Sequence, residues 1–248
     1  MLGKAKGAIN AVLDRVGYRL VRASAPSQQY KTLKAESVDG WFSAGECRRL
    51  YGLILTTTGS ILEIGHYLGR STACICEAIS DSREDREFRS YDLGCRSAEE
   101  FKEFYFKIVR REIDVPPDYA EMVLTSNMTT TEIARNNLRN LDLESHVELI
   151  SGDFVELDAG RYDVIFCDAM HFPEEIDHNL PHIIDRSNPG CIWAFHDMNP
   201  ENIRTILSSS TAALADLSES LGVFRYVADS ASSLTLGKVD GLGGSGAV

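Results

Sequence analysis

Two acid–histidine pairs carry the most evident chemistry in this sequence. Asp168-Ala169-Met170-His171 follows the apolar run 164–167, and His196-Asp197 follows the run 191–195. A carboxylate can orient a base or hold a cation. An imidazole titrates near neutral pH and can take a proton from a hydroxyl, which makes His171 the first choice for a base and His196 the second. His178 and His182 stand four apart on a predicted helix with no HExxH around them, so they read as surface or packing residues. A different chemistry is written into residues 61–72, ILEIGHYLGRST. There Gly65 and Gly69 bracket a turn in which free backbone NH groups and the Ser71 hydroxyl can hold a carboxylate. His66, inside that turn, reads as pointing to solvent. Asp92 ends the next apolar run, and Gly152-Asp153-Phe154 follows the one after it.

These residues are useful only if the elements beneath them bring them together. Apolar runs at 60–65, 88–92, 147–151, 163–168 and 191–196 read as strands. Helical patterns fill 69–80, 173–185 and 201–221, and a further helix spans 46–55. Runs at 223–227 and 233–236 read as an antiparallel hairpin. Strands alternating with helices at this spacing imply an α/β fold, Rossmann-like and doubly wound. Its mostly parallel seven-stranded sheet would end in an antiparallel C-terminal edge hairpin. In such sheets ligands bind beyond the carboxyl ends of the strands, where the strand order reverses.

Residues 1–37 are expected to be an amphipathic helix and linker, with residues 24–37 as the linker. Residues 38–240 form the main domain, with 93–141 as a helical insertion or lid, and 241–248 form a Gly-rich disordered tail. Basic residues interleave with apolar ones over 1–24. That helix is read as packing on its own domain or on a dimer mate, with peripheral membrane docking as the second reading. It lacks the apolar core of a secretory signal. A net charge of −12 argues against a nucleic-acid partner, because phosphates need clustered Lys and Arg. Six scattered cysteines without a CxxC pair suit a reducing, cytoplasmic setting.

Asp92 could accept from a ribose diol, and Asp153 with Phe154 could take the amino group and ring face of adenine. That points to an adenosine-bearing ligand, NAD or S-adenosylmethionine. NAD sites need GxGxxG, and here Tyr67 occupies the place of the second glycine. The string ILEIGHYLGRST resembles the first motif of class I S-adenosylmethionine-dependent methyltransferases. It resembles especially the catechol-type O-methyltransferases and the bacterial small-molecule and sugar O-methyltransferases related to them. The resemblance runs from about residue 59 to 199, apart from the insertion. It implies that Glu63, Gly65, Tyr67, Gly69 and Ser71 line the methionine end, Asp92 the ribose, and Asp153 and Phe154 the adenine. Asp168 would serve both cofactor and catalysis.

By the same resemblance His171 replaces the family's basic lysine, and Asp168 and Asp197 are ligands for a divalent metal, Mg²⁺ fitting best. Met198 stands where that family has Asn, with Asn199 one place on. The acceptor implied is a hydroxyl of a small molecule: a sugar, a polysaccharide terminus or a secondary metabolite. Residues 16–22 loosely resemble leaders of bacterial methyltransferases associated with surface polysaccharides. Trp41, Tyr105 and Trp193 are candidates for lining the acceptor pocket, although Trp193 in a strand reads first as core. The alternatives are a non-catalytic binder of S-adenosylmethionine and an NAD-dependent oxidoreductase. N-methylation stays open within the main reading.

Overall fold

The structure is a computed structural model and describes residues 31–109 and 127–227. The expected N-terminal helix, the Pro116-Pro117 stretch of the insertion, the run 233–236 and the tail 241–248 lie outside the described residues. Described residues from Thr32 onward belong to one compact unit. No helix among them is long and apolar enough to cross a membrane.

Helix α1 (Ala44–Leu55) starts at a capping box. Ser43 Oγ accepts from Glu46 N at 3.1 Å, and Glu46 Oε2 accepts from Ser43 N at 2.9 Å. Strand β1 (Ile61–Ile64), helix α2 (Arg70–Ser82) and strand β2 (Phe88–Asp92) follow. Then come α3 (Ala98–Val109), α4 (Thr130–Asn140), β3 (Glu148–Ser151), the short α5 (Phe154–Leu157) and β4 (Tyr162–Cys167). The chain continues with α6 (Pro173–Asp185), β5 (Ser187–Phe195), α7 (Pro200–Ser209), β6 (Ala213–Ser218) and β7 (Leu221–Arg225).

The sheet order is β3-β2-β1-β4-β5-β7-β6. Strands β1 to β5 run parallel, whereas β7 is antiparallel to both β5 and β6. Successive strand residues divide between two apolar layers, as the two-residue period of a strand requires. Ile61, Val164 and Phe166 face α1 and α2, while Leu62, Ile165, Cys167, Trp193 and Phe195 face α6 and α7. The chain reverses its direction of winding between β1 and β4, so the tips of those strands open the crevice.

Two expectations require correction. The helix read over 201–221 stops at Ser209, and residues 213–218 form edge strand β6. The run read as 223–227 falls in β7, and its antiparallel hairpin partner is β6 at 213–218; the run 233–236 lies outside the described residues. Ala and Leu in ALADLS favour a helix, but β7 is buried over four of its five residues and offers an edge that overrides this preference. The end of the supposed linker is part of the fold. Leu33, Ala35 and Val38 are buried against α2, and Lys34 N donates to Glu77 Oε2 at 2.7 Å. Within 93–141, Leu93, Cys95 and Phe101 line the crevice, and helix α4 has a packing role. It packs on the glycine turn, where Asn137 Nδ2 donates to Leu68 O at 2.9 Å and Ala134 lies against Gly69.

Candidate active site

A cavity of about 800 Å³ opens at the switch point, and Gly65, Tyr67, Ser71, Asp92, Asp153, Phe154 and Asp168 all line it. That volume lies within the usual small-molecule range of roughly 300–1,000 Å³. Residues from four strand tips meet there because strands β3, β2, β1 and β4 are neighbours in that order. At the first tip Gly65 has φ +87°, and a Cβ there would stand 2.7 Å from Asp168 O. Tyr67 has φ +46°, and its NH donates to Asp92 Oδ2 at 2.9 Å. Asp92 Oδ1 accepts from Gly94 N at 3.0 Å and from Thr130 Oγ1 at 2.6 Å. At the third tip Asp153 caps α5 by accepting from Val155 N at 2.9 Å. Phe154 is buried, with the Arg186 guanidinium carbon 5.3 Å from its ring centroid. Arg186 also donates to Phe154 O, Val155 O and Asp158 O, which fixes this loop.

Two residues expected at the methionine end are absent from the cavity wall. Gly69 has φ +90° and serves packing: a Cβ there would stand 3.1 Å from Ala134 Cβ. Glu63 is fully buried and accepts from Ser71 Oγ (2.7 Å), Thr72 Oγ1 (2.6 Å) and Ser90 Oγ (2.5 Å). The Ser71 hydroxyl expected to hold a ligand carboxylate is therefore spent on Glu63. His66 does not face solvent. It is 1% exposed, with Nδ1 2.9 Å from Ser90 Oγ and Nε2 3.0 Å from Thr131 Oγ1.

Burial pushes the Glu63 carboxyl up to about 7, and its three hydroxyl partners offset only part of that. Between about pH 4.5 and 7 the folded protein keeps this proton while the unfolded chain has released it, so stability falls as pH rises through that window. The difference in unfolding free energy between wild type and Glu63→Gln should change by roughly 3 kcal/mol across the window. Urea denaturation of both proteins at pH 4.5 and pH 8 measures it. Equal slopes for the two proteins would contradict the assignment.

The other end of the cavity is acidic. His171 Nδ1 lies 3.0 Å from Glu175 Oε2, which also accepts from His171 N at 2.5 Å. That pair turns Nε2 toward Asp197 Oδ2 (3.5 Å) and Asp168 Oδ1 (3.8 Å), with the side chain 40% exposed. Burial alone would lower the His171 pKa, but the Glu175 hydrogen bond and the charges of Glu175, Asp168 and Asp197 outweigh it and raise it to about 9. His196 differs. It is buried, edge-on to Phe42, with Nδ1 2.8 Å from Asp168 Oδ1 and Nε2 3.3 Å from Glu46 Oε1. Carboxylates on both sides hold it as an imidazolium, raised to about 9 against the opposing effect of burial. This suits orienting Asp168 and not removing a proton.

Glu46 and Glu175 are the functional side chains that sequence reasoning missed. Both are buried and both line the cavity. The Ser43-x-x-Glu46 capping box and the four-residue spacing of His171 and Glu175 were the available signals. Trp41 lines the cavity, stacked on Tyr67 at 5.1 Å, whereas Trp193 is fully buried and donates to Ser187 Oγ. The side chain of Tyr105 lies outside the described residues.

Asp168, His171 and Asp197 offer ligand atoms all within 4.8 Å of one another. The two carboxylates are oxygen donors that a divalent ion such as Mg²⁺ accepts, and His171 Nε2 stands beside them. The Asn that the resemblance places after Asp197 has no counterpart at that position. Met198 is buried, and Asn199 Oδ1 caps α7 by accepting from Glu201 N and Asn202 N.

A family model described as a methyltransferase domain matches residues 62–198. No curated protein matches the chain. Among solved structures, a candidate O-methyltransferase of Klebsiella pneumoniae is 17% identical at a TM-score of 0.48, covering 92% of this chain and 99% of its own. The O-methyltransferase TomG of Streptomyces achromogenes, solved with SAM, is 16% identical at 0.46, covering 89% and 96%. An RNA methyltransferase of Salinibacter ruber, solved with S-adenosyl-L-homocysteine, is 18% identical at 0.44, covering 73% and 88%. Likeness at this level does not assign an acceptor.

Proposed function

The chain belongs to the methyltransferase-domain family, and on that premise we propose that it transfers the methyl group of S-adenosylmethionine to a hydroxyl of a small molecule. The observation that carries this reading is that Gly65, Asp92, Asp153 and Asp168 line one cavity with His171 at its other end. S-adenosylmethionine supplies an electrophilic methyl carbon on sulfur, so the protein has to position, desolvate and deprotonate. Asp92 would hold the ribose, and Asp153 and Phe154 would hold the adenine. Holding acceptor oxygen and methyl carbon in line contributes about 7–11 kcal/mol. His171 Nε2 takes the hydroxyl proton, the oxygen forms the new bond to carbon, and the carbon–sulfur electron pair stays on sulfur. Glu175 fixes the ring that does this, and His196 fixes Asp168.

Asp168 and Asp197 would hold a divalent cation such as Mg²⁺, which would lower the pKa of an acceptor hydroxyl bound to it. The acidic lining and the net charge of −12 favour an uncharged or cationic acceptor over a phosphate-bearing one. Six free, buried cysteines support action in the cytoplasm.

The test is calorimetric titration with S-adenosylhomocysteine, followed by transfer of labelled methyl from S-adenosylmethionine to a panel of sugars and catechols. Binding with transfer to a hydroxyl is the expected result. Binding with transfer only to amines would move the reading to N-methylation, and binding without any transfer would favour a non-catalytic role.

A further inference from the structure

The glycine turn holds a histidine that the proposed chemistry does not use. His66 is buried at the wall of the cofactor cavity with both ring nitrogens engaged. When Glu63 is ionised, Ser90 Oγ spends its proton on it at 2.5 Å and accepts from His66 Nδ1–H. His66 Nε2 is then left to accept from Thr131 Oγ1, 3.0 Å away. The residue after His66 is Tyr67, whose NH donates to Asp92, and the residue before Thr131 is Thr130, whose hydroxyl donates to the same carboxylate. Two hydrogen-bonded bridges thus join the glycine turn to the start of α4 side by side. One is His66 to Thr131, and the other runs through Asp92.

We propose that His66 is a positioning residue for cofactor binding: by tying the glycine turn to Thr131, it shares with Asp92 the task of holding that turn to the start of α4 and leaves that carboxylate able to accept from a ribose. The inference rests on the S-adenosylmethionine reading above. Without the first bridge, alignment of the turn with the first residues of α4 falls on Tyr67–Asp92–Thr130, because the other polar tie, Asn137 Nδ2 to Leu68 O, lies about two turns further along the helix, and the ribose must compete for the same two oxygens. An acid at this position has about four lone-pair sites, and three donors already use them. Little capacity remains to absorb a shift of the turn.

Side-chain replacement separates the two ring contacts. Asn reaches about as far as Nδ1 and keeps only the Ser90 bond, whereas Gln reaches about as far as Nε2 and keeps the Thr131 bond. The affinity of the full-length protein for S-adenosylhomocysteine is measured by calorimetry, well below the unfolding midpoint of each variant. His66→Asn and Thr131→Val should each weaken binding about tenfold, the scale of one lost buried hydrogen bond. The double variant should be no weaker than the weaker single one, because both break the same bridge. His66→Gln should recover most of the affinity.

A purely structural histidine would lower the unfolding midpoint and leave affinity alone, and that result overturns the proposal. So do losses that multiply in the double variant. Failure of the wild-type protein itself to bind S-adenosylhomocysteine would instead remove the cofactor reading beneath it, which the wild-type titration shows before any variant is made.

Discussion

Replacing His171 by alanine is expected to lower kcat by about 10²–10⁴-fold and leave the affinity for S-adenosylhomocysteine nearly unchanged. His171 presents Nε2 at the acceptor end, 3.5 Å from Asp197 Oδ2 and with the side chain 40% exposed, whereas His196 is buried between Asp168 and Glu46. The expectation has a pH signature. With its pKa raised to about 9, His171 is mostly protonated in the ligand-free protein at neutral pH. The base form accumulates as pH rises, so kcat/KM should climb with pH and level off above about 9. Glu175 contributes most of the upward push, so Glu175→Gln should move that limb to lower pH while lowering its plateau. A loss below tenfold in His171→Ala, with the limb unmoved, would leave His171 a positioning role and put another group in charge of the proton.

The second large effect concerns the first strand tip. Gly65→Ala is expected to destabilise the fold by about 2–4 kcal/mol and to weaken S-adenosylhomocysteine binding more than 100-fold. Gly65 has φ +87°, a conformation that costs other residues of order 1–3 kcal/mol. The added methyl would also meet a backbone oxygen, Asp168 O at 2.7 Å, which no rotamer change can move aside. Relief requires the tips of β1 and β4 to part, and those two tips carry the glycine turn and Asp168. Equilibrium denaturation and calorimetry of the variant check both numbers. A variant with wild-type stability and affinity would mean that the tips are not packed as described.

Local pattern and spacing made the parallel part of the fold legible. Apolar runs ending in Gly65, Asp92, Ser151 and Asp168 marked four strands to within a residue or two, and the order of their ends implied the crevice. The acids and aromatic at those ends reach one cavity because neighbouring strands bring their tips into one row. Contacts made across the sheet were not legible. Glu63 and Ser71 look like ligand-facing residues in a glycine motif, but Ser90 on the adjacent strand draws Glu63 inward, and Glu63 in turn claims Ser71. His66 looks exposed until Thr131, 65 residues on, closes over it. Glu46 meets His196 across 150 residues of chain, and only its capping role shows in the sequence. The edge strand β6 was hidden by helix-favouring residues, because pairing with β7 decides its conformation.

The sequence has two tryptophans, and the fold gives them opposite surroundings. Trp193 is sealed in the sheet at 0% exposure, while Trp41 is 57% exposed at the cavity rim and stacked on Tyr67. The protein thus carries a built-in optical gauge of site occupancy. The red-side emission comes from the indole at the rim, and the buried indole supplies a constant blue reference. Any molecule that fills the crevice displaces water from only one of them, so the emission spectrum should shift as the site loads, with no added label.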